Sequence, residues 1–370
     1  MGLGPGPLEG LGLIVFPGLE PLRGRRVLVT GHTGFKGTWL VGLLESLGAA
    51  VEGYALAPHD PSLHAQAGRR APPWGYGDVR DGGALARAFA SFRPEVVIHL
   101  AAQAFVRRSY AEPAPTISVN VMGTAEVLEQ ARRAPDVRAI VAVTSDKCYR
   151  NDGAGRAFRE EDPLGGRDPY SASKAAAEIV AAAYGHSFFS RAEPAVALAT
   201  VRAGNVLGGG DWGEDRLLPD VFRSFAAGRP PTIRFPDAIR PWQHVLDVCH
   251  GYAAVAAAIL SRPGTVEAWN FAPNGPELTV REVVERALRG LGSTTGWVQT
   301  DGPALPEAPV LRLDAGRARR ELGWRAVLAP AEAVDWTVEW HRAFAAGASA
   351  GDLCRRQLEA FAQRRAEVSA

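Results

Sequence analysis

Residues 26–37 read RVLVTGHTGFKG, a short apolar run that leads directly into three glycines. The apolar run predicts a buried β-strand, and the apolar spacing over residues 38–47 predicts a helix. Glycines three residues apart allow a tight strand-to-helix turn and let the backbone approach a pyrophosphate at the helix N-terminus. The segment therefore predicts a dinucleotide-binding loop. Its candidate contacts are Gly31, Thr33, Gly34, Phe35 and Gly37.

Further apolar, β-branched runs follow and alternate with helical patterns. We predict buried parallel strands at residues 50–54, 96–100, 139–144 and 195–202. We predict helices at residues 84–90, 116–132 and 171–188. Such alternation implies right-handed crossovers, so the predicted fold class is α/β, a Rossmann-type doubly wound parallel sheet with a smaller C-terminal substrate-binding lobe.

The 370 residues are enough for one large α/β unit or two joined lobes. After residue 204 the alternation gives way to loops rich in Gly and Pro, which present polar groups well. We predict a loose Gly/Pro-rich extension at residues 1–22 and a dinucleotide-binding domain at 23–204. We place a substrate-binding lobe at 205–350, with some return to the sheet, and a polar helix or frayed tail at 351–370.

Composition excludes several classes of protein. The formal net charge of +1 supplies no basic field for nucleic acid or an anionic membrane. No segment approaches the roughly 20 apolar residues that a membrane helix needs. Cys148, Cys249 and Cys354 are widely spaced, which fits neither a disulfide framework nor a zinc site. We expect a soluble, cytoplasmic protein without a metal.

Lysine is scarce in this chain. Of the 41 basic residues three are lysines, Lys36, Lys147 and Lys174, so 41 − 3 = 38 are arginines. Arginine does not replace lysine where a compact or deprotonatable amine is required. Each lysine is therefore a candidate for a chemical role.

Tyr170 and Lys174 form a Y-x-x-x-K pair that lies on one face of a predicted helix, one turn apart. An adjacent ammonium and a cationic nicotinamide would lower the pKa of Tyr170 from its ordinary value of about 10, so the phenol could act as a base near neutral pH. The preceding segment, Val143 to Tyr149, places hydroxyl, carboxyl and amine groups at the carboxyl end of a predicted strand. Open α/β sheets bind their ligands at that edge.

The choice between NAD and NADP stays open at this stage. NAD sites usually have an acidic residue at the end of the second strand, but that strand ends in YALAP and Asp60 comes late. No arginine stands there for a 2′-phosphate either. Asp78 and Val79 follow a predicted short strand and could hold the adenine edge, although an aspartate in a turn explains Asp78 equally well.

The motifs together resemble the extended short-chain dehydrogenase/reductase superfamily in its nucleotide-sugar branch. More narrowly, they resemble the CDP-glucose 4,6-dehydratase family over about residues 23–345. The motifs are VTGHTGFKG, HLAAQ, VRRSY, SVNVMGT, VTSDKCY, DPYSASK, VRAGNVLGGGDW and IRPWQHV. The related dTDP-glucose enzymes typically have Asp-Glu where this chain has Asp146 and Lys147.

The resemblance implies a dehydration with NAD as a regenerated cofactor. Tyr170, supported by Ser145 and Lys174, would take the carbon-4 hydroxyl proton while the hydride passes to NAD. Lys147, as a neutral amine, would then remove the carbon-5 proton, and a protonated Asp146 would donate to the departing carbon-6 hydroxyl. The hydride would return to carbon 6.

The resemblance also implies further contacts and partners. The additional cofactor contacts would be Leu100, Ala101, Ala102 and Thr144. The substrate contacts would be Gln103, Arg107, Asn205, Arg216 and Arg240. Arginine suits a pyrophosphate because it donates to several oxygens in one plane. The resemblance and two long predicted helices further suggest a homodimer or homotetramer that acts on CDP-glucose.

Three other functions remain open. A nucleotide-sugar 4-epimerase needs the Tyr/Lys pair and NAD but no acid/base pair for elimination, so Asp146 and Lys147 argue against it. A dTDP-glucose 4,6-dehydratase would use the same scaffold. A non-catalytic dinucleotide sensor would not need Ser145, Tyr170 and Lys174 together.

Overall fold

The computed structural model describes residues 13–300, 308 and 310–369. The strands are β1 (Arg26–Thr30), β2 (Ala50–Tyr54), β3 (Val96–His99), β4 (Ala139–Val143), β5 (Ala157–Phe158), β6 (Ala197–Ala203), β7 (Val206–Leu207), β8 (Thr232–Ile233), β9 (Ile239–Arg240), β10 (Gln243–His244), β11 (Val266–Phe271), β12 (Leu278–Thr279), β13 (Val298–Gln299) and β14 (Arg312–Leu313). The α-helices are α1 (Phe35–Ser46), α2 (Leu63–Gln66), α3 (Gly82–Phe92), α4 (Val106–Ala111), α5 (Pro113–Ile117), α6 (Gly123–Arg133), α7 (Pro169–Ser187), α8 (Leu217–Ala226), α9 (Val245–Leu260), α10 (Val280–Leu291), α11 (Gly316–Leu322), α12 (Pro330–Ala345) and α13 (Ala350–Ser369).

Six parallel strands form the central sheet in the order β11-β6-β4-β3-β1-β2. The chain leaves β1 toward β2 on one side and then crosses to β3 on the other side. The order therefore reverses at β1, and a reversal of this kind opens a crevice at the carboxyl ends of the strands. The predicted α/β fold class is confirmed.

Helices cover both faces of the sheet because successive side chains of a strand point to opposite sides. In β1, Val27 and Val29 face a core shared with α1 and α9, whereas Leu28 faces a core shared with α3 and α6. Both faces are apolar along the strand, as expected for a parallel sheet buried on two sides. Packing on both faces holds the carboxyl edge of the sheet in place.

The later part of the chain builds a smaller lobe with its own core. Helices α8, α10 and α12 contribute Val221, Val284 and Val334 to this core. Two-stranded pairs, β8 with β13 and β9 with β12, lie beside these helices. The part of the chain between β9 and β12 returns to the large sheet. Its strand β11 pairs with β6, and its helix α9 packs on the face of the sheet beside α1.

Two predicted elements differ from the structure. The predicted helix at residues 116–132 is divided into α5, a π-helical turn at Ser118–Met122 and α6. The short strand predicted before Asp78 is absent: residues 67–81 are turns and extended chain without a ladder. Pro72 and Pro73 lack the N–H that a ladder requires, and the Trp74 indole donates instead to the Gly53 carbonyl at 3.1 Å.

The N-terminal segment departs from its prediction, whereas the C-terminal segment forms the helix that was one of its two predicted alternatives. Residues 13–22, which the composition assigns to a loose extension, pack on the core through Phe16, Leu19 and Leu22, each about 1% exposed or less. The first twelve residues lie outside the described range. At the other end, α13 is a helix that buries Leu358 and Phe361 and is not frayed.

Across the described ranges, no helix is long and apolar enough to cross a membrane. In the same part of the chain, no three His, Cys, Asp or Glu side chains are grouped closely enough to hold a metal ion.

Candidate active site

Strand β4 ends at Val143 and delivers Thr144, Ser145, Asp146 and Lys147 to the carboxyl edge of the sheet. All five residues of β4 are buried, which fixes the position of the segment that follows. A 3₁₀ turn over Asp146–Cys148 begins at Ser145, whose Oγ accepts from the Lys147 N–H at 3.2 Å. The same hydroxyl donates to Asp146 Oδ1 at 2.9 Å. The hydroxyl, carboxyl and amine groups are therefore held in one compact turn.

Helix α7 places Tyr170 and Lys174 against this turn. Asp168 caps the helix by accepting from the Ser171 N–H at 2.9 Å, and Pro169 occupies the first helical position. The Tyr170 side chain is buried, and Lys174 Nζ donates to the Val143 carbonyl at 3.2 Å. Lys174 thus ties α7 to the end of β4.

Burial controls the ionisation of this pair. Burial raises the pKa of Tyr170 to about 12, although a hydrogen bond with Ser145 and the charge of Arg216 oppose the shift. Burial and the nearby Lys36 lower the pKa of Lys174 to about 7. In the protein alone the pKa of Tyr170 is therefore raised, not lowered as the Y-x-x-x-K pattern predicts. The reason is that loss of hydration outweighs the neighbouring positive charge.

Asp146 has the environment of a carboxylic acid. Burial raises the pKa of Asp146, against the opposing charge of Lys147 and a hydrogen bond from Ser145. Its second oxygen, Oδ2, is buried and has no hydrogen-bond partner within the described residues. A Cβ at position 204 would lie 2.9 Å from this oxygen, so Gly204 leaves room for it. Burial therefore shifts Asp146 toward its protonated form.

A cavity of about 310 Å³ lies between the sheet and the smaller lobe and brings most of these groups together. The predicted site residues that line it are Phe35, Arg107, Thr144, Ser145, Asp146, Lys147, Tyr170, Asn205, Arg216 and Arg240. Lys174 lies beneath the cavity wall. The cavity is therefore shared between the end of β4, the start of α7 and loops of the second lobe.

The glycine loop occupies the crevice between β1 and β3. Gly31 has a positive φ of 74°, and a Cβ there would lie 2.7 Å from Ala101 N, so only glycine fits. A Cβ on Gly37 would lie 2.1 Å from the Gly31 carbonyl oxygen. Gly34 is exposed and is the N-cap of α1, so the free N–H groups of the first turn of α1 lie next to the loop. This loop fits the pyrophosphate of a dinucleotide.

The candidate contacts for the adenosine end of the dinucleotide differ in their positions and in their present partners. Leu100, Ala101 and Ala102 follow β3 directly and face the glycine loop, with Ala101 N donating to Thr30 Oγ1 at 3.2 Å. Val79 is buried, whereas the Asp78 carboxylate is engaged by the Arg80 side chain at 2.6 Å. No carboxylate stands at the end of β2, where Thr33 Oγ1 donates to the Leu56 carbonyl at 3.0 Å.

The predicted substrate contacts fall into two groups. Arg107 Nη1 lies 2.9 Å from Asp215, and Arg216 Nη1 lies 2.9 Å from Asp211. Arg240 is buried and donates to the Ile239 carbonyl. In contrast, Gln103 does not line the cavity, because its amide is bonded to Phe105 of its own loop and to Thr116 of α5.

The chain is similar to known sugar-nucleotide dehydratases and to a known sugar-nucleotide epimerase. The family model of the GDP-mannose 4,6-dehydratases matches residues 28–336. The CDP-glucose 4,6-dehydratase of Salmonella typhimurium is 43% identical over 92% of this chain and 96% of its own length. The UDP-glucose 4-epimerase of Mycolicibacterium smegmatis is 30% identical over 86% of this chain and 98% of its own length.

A solved structure extends the comparison. The dTDP-glucose 4,6-dehydratase of Streptomyces venezuelae, solved with NAD bound, is 28% identical with a TM-score of 0.73 and covers 86% of this chain and 97% of its own. The chain belongs to the GDP-mannose 4,6-dehydratase family. This dehydratase family is part of the extended short-chain dehydrogenase/reductase superfamily.

The dehydratase cavity contains residues that the motif analysis did not assign. Lys36 lines it, and burial together with the charge of Arg216 lowers the pKa of Lys36 to about 8. Asp211 and Asp215, which hold the two arginines, also line it. The scarcity of lysine did signal Lys36. Asp211 lies only five residues before its partner Arg216, whereas Asp215 pairs with Arg107, which is 108 residues away in the chain.

A buried ion pair supports the dehydratase site from below. Glu178 lies one turn after Lys174 on α7, and Arg202 of β6 donates to it from Nε at 2.8 Å and from Nη2 at 2.7 Å. The Thr144 hydroxyl donates to the same carboxylate. Arg202 Nη1 also donates to the Tyr149 hydroxyl at 2.7 Å. The network ties α7, β6 and both ends of the 144–149 segment together.

Proposed function

We propose that this chain converts CDP-glucose to CDP-4-dehydro-6-deoxyglucose with NAD as a resident cofactor. The observation that carries the proposal is the placement of Asp146, Lys147 and Tyr170 in one cavity. The similarity to the Salmonella CDP-glucose enzyme over nearly the whole chain supports the same reaction. Oxidation, elimination and reduction each need one of these groups close to the sugar.

The chain has a fitting place for the cofactor. Gly31, Gly34 and Gly37 would hold its pyrophosphate at the start of α1, and Leu100 to Ala102 would flank it beyond β3. NAD, when bound, accepts the hydride from carbon 4 of the sugar and returns it to carbon 6. Solved relatives with bound NAD support this choice of dinucleotide.

Tyr170 takes the proton of the carbon-4 hydroxyl. Its phenol is buried in the cavity wall and interacts with Ser145, so it is oriented for this transfer. Since burial alone favours the protonated phenol, Tyr170 becomes a base only when positive charge is added next to it. Lys174 Nζ donates to the Val143 carbonyl and adds one such charge when it is protonated. Because its pKa is lowered to about 7, the amine is only partly charged near neutral pH.

Asp146 and Lys147 carry out the elimination. Once carbon 4 is a ketone, the carbon-5 proton is acidic, and the Lys147 amine removes it. Burial shifts Asp146 toward its protonated form, and we assign to this carboxyl the proton that passes to the carbon-6 hydroxyl. One water leaves, and a double bond forms between carbons 5 and 6. Each residue therefore performs one half of a balanced acid/base step.

The pyrophosphate of the nucleotide sugar would contact the arginines of the same cavity. Arg107, Arg216 and Arg240 approach it from α4, from the start of α8 and from β9. Asn205 offers an amide at the end of β6. Planar guanidinium donors match phosphate oxygens.

The test uses CDP-glucose that carries deuterium at carbon 4. We expect a 4-keto-6-deoxy product with the deuterium at carbon 6 and no net growth of reduced nicotinamide. Formation of CDP-galactose would identify an epimerase, and stoichiometric accumulation of reduced nicotinamide would identify a simple dehydrogenase. A strong preference for dTDP-glucose over CDP-glucose would overturn the proposed nucleobase.

We infer further that the chain forms a homo-oligomer through the face that contains α5, α6 and α7. On this face the side chains of Ile117, Met122 and Ile179 are 47%, 56% and 60% exposed, respectively. Large apolar side chains gathered on one face are typical of a subunit interface. Light scattering of the purified protein at micromolar concentration tests this; we expect a dimer or a tetramer, and a monomer would contradict it.

A further inference from the structure

A second cavity, of about 300 Å³, lies at edge strand β2 and is separate from the candidate active site. It is enclosed by α1, by β2 and by the segment 64–73 that crosses the open edge of the strand. Among the residues of the glycine loop, only His32 lines it. None of the residues assigned above to NAD or to the sugar nucleotide takes part. The cavity therefore has no role in the proposed reaction.

Several buried polar atoms line this cavity without a hydrogen-bond partner in the described part of the chain. They are both ring nitrogens of His32, Nε2 of His64, and Nε and Nη2 of Arg69. His32 is 5% exposed and His64 is 3% exposed, and their rings meet edge to face at 5.2 Å. Buried polar groups nearly always have partners, so an unpaired cluster of this kind indicates a missing one.

The Arg69 guanidinium defines what that partner must be. Nη1 lies 2.7 Å and 2.6 Å from the two carboxylate oxygens of Glu45, which occupies one side of the group. Nε and Nη2 form the opposite edge, and this edge presents two parallel N–H donors. Such a fork matches two oxygens of a phosphate, sulfate or carboxylate group.

The two histidines extend the donor set. Burial lowers the pKa of His32 to about 3 and that of His64 to about 4, and the charge of Arg69 contributes to both shifts. Both rings are therefore neutral near pH 7, and each can donate one N–H. His32, His64 and Arg69 thus place buried polar side chains in the lining of the same cavity.

We propose that this cavity is a binding site for a small oxyanion of the phosphate or sulfate class. The Arg69 fork holds two of its oxygens, and His32 and His64 donate to the others. The charged and titratable groups that line the cavity are Glu45 from α1, Glu52 from β2, and His32, His64, Arg69 and Arg70. The Tyr76 ring packs against both histidines, at centroid distances of 6.4 Å and 6.5 Å. Glu45 offsets the charge of Arg69 by pairing with Nη1, so Nε and Nη2 are not occupied by this carboxylate.

The experiment uses the full chain saturated with NAD⁺ and labelled with ¹⁵N-histidine, of which it has eight. Inorganic phosphate is added while the ring nitrogen signals are recorded. We expect two histidine signals, assigned to His32 and His64 by His→Gln variants, to shift in a saturable way. If neither signal moves with phosphate, the proposal is wrong.

Arg69→Gln should weaken the phosphate response by about tenfold or more, because a charged hydrogen-bond pair is lost. Arg286→Gln is the matched control: Arg286 pairs with Asp335 on the surface between α10 and α12 and should leave the response unchanged. Arg69→Lys keeps the charge without the fork and should also bind more weakly. It serves as the second variant if Arg69→Gln does not fold. Full binding by either variant would overturn the assignment.

Two further arms define the ligand. Sulfate keeps its charge between pH 8 and 5, and its affinity should change little over this range, because both histidines, with pKa values of about 3 and 4, stay neutral donors; an affinity that falls as the pH falls would contradict the assigned donors. Replacing NAD⁺ by NADP⁺ distinguishes the source of the oxyanion. Undiminished phosphate binding supports a free ion, and competition supports the ribose 2′-phosphate as the occupant of the same fork.

Discussion

Tyr170 and Lys174 show how burial competes with charge at single residues. The Y-x-x-x-K pattern places them one turn apart, and α7 does so. Their ionisation depends on depth, since burial raises the pKa of Tyr170 and lowers that of Lys174. In the proposed reaction, charge brought in with the cofactor turns the phenol into a base.

Lys147 and Tyr170 should affect different halves of the reaction. Tyr170→Phe removes the proton acceptor for oxidation and should lower the oxidation rate about 100- to 10,000-fold. Lys147→Ala should leave oxidation in place but stop elimination. We expect reduced nicotinamide to accumulate, and slow exchange of the carbon-5 hydrogen with solvent. Rapid single-turnover absorbance and product analysis measure both.

Each of the two variants has an outcome that would contradict this prediction. Normal turnover by Lys147→Ala, or a defect only in CDP-glucose binding, would show that Lys147 is a phosphate contact. Normal oxidation by Tyr170→Phe would show that Tyr170 only packs in the cavity wall.

Glu178 should matter for stability more than its distance from the cavity suggests. Glu178→Gln leaves the Arg202 charge buried without its partner, and breaking a buried pair costs about 3–5 kcal/mol. Urea unfolding measures the loss. Glu129→Gln, which removes a surface carboxylate paired with Arg132 and Arg133, should change the free energy of unfolding by less than about 1 kcal/mol. Equal effects would show that the Glu178 network is not stabilising.

At the scale of elements, the segment 13–22 shows that composition alone does not predict whether a segment packs on the core. Gly and Pro mark it as a loose extension, yet Phe16 packs against the rings of His250 and Phe361 at centroid distances of 5.8 Å and 6.1 Å. The contacts come from α9 and α13, which lie far along the chain. Local composition carries no information about such partners.

Phe16→Ala should therefore destabilise the protein by about 3–5 kcal/mol, since it leaves a cavity in a filled core. Leu13→Ala, at a side chain that is 57% exposed, should change stability by no more than about 0.5 kcal/mol. Denaturant midpoints of the two variants provide the comparison. A small effect at Phe16 would mean that the segment is dispensable.

The exposed face of α7 carries a prediction about assembly. Ile179→Glu puts a charge where the proposed interface would exclude water, so the oligomer should dissociate to monomers in analytical ultracentrifugation. Val368→Glu, on α13 at a side chain that is 49% exposed, should leave the assembly intact. An Ile179→Glu protein of unchanged mass would place the interface elsewhere.

The whole molecule should be sensitive to mild acid. Burial lowers the pKa of His32, His64, His99, His244, His250 and His341. A buried histidine with a lowered pKa contributes stability that is full above its unfolded pKa of about 6.5 and is lost as the pH falls. Asp247 acts in the opposite direction, because burial raises its pKa to about 7. Six histidines outweigh it.

We expect the free energy of unfolding to fall by about 1 kcal/mol or more per pH unit from pH 6.5 toward pH 5. Urea titrations at several pH values measure this slope. His99→Gln keeps polar contacts to Thr30 and Thr124 and should reduce the slope, whereas a variant of the exposed His186 should not. A flat profile would contradict the prediction.

The sequence by itself determined the parallel sheet, the glycine loop and the positions of Ser145, Tyr170 and Lys174. These depend on periodicity and on short spacings that the backbone preserves, and β4 and α7 then carry them to one edge of the sheet. Scarcity of lysine also pointed to Lys36 and Lys147 without any contact being known.

Only the tertiary structure decided which distant groups meet and how deeply they are buried. It separated Gln103 from the cavity, joined Arg107 to Asp215, and placed Glu178 against Arg202. It also set the direction of the Tyr170 pKa, and it created the cavity beside β2. The physical reason is that hydration and long-range packing depend on the whole chain, whereas periodicity and capping depend on a few neighbours.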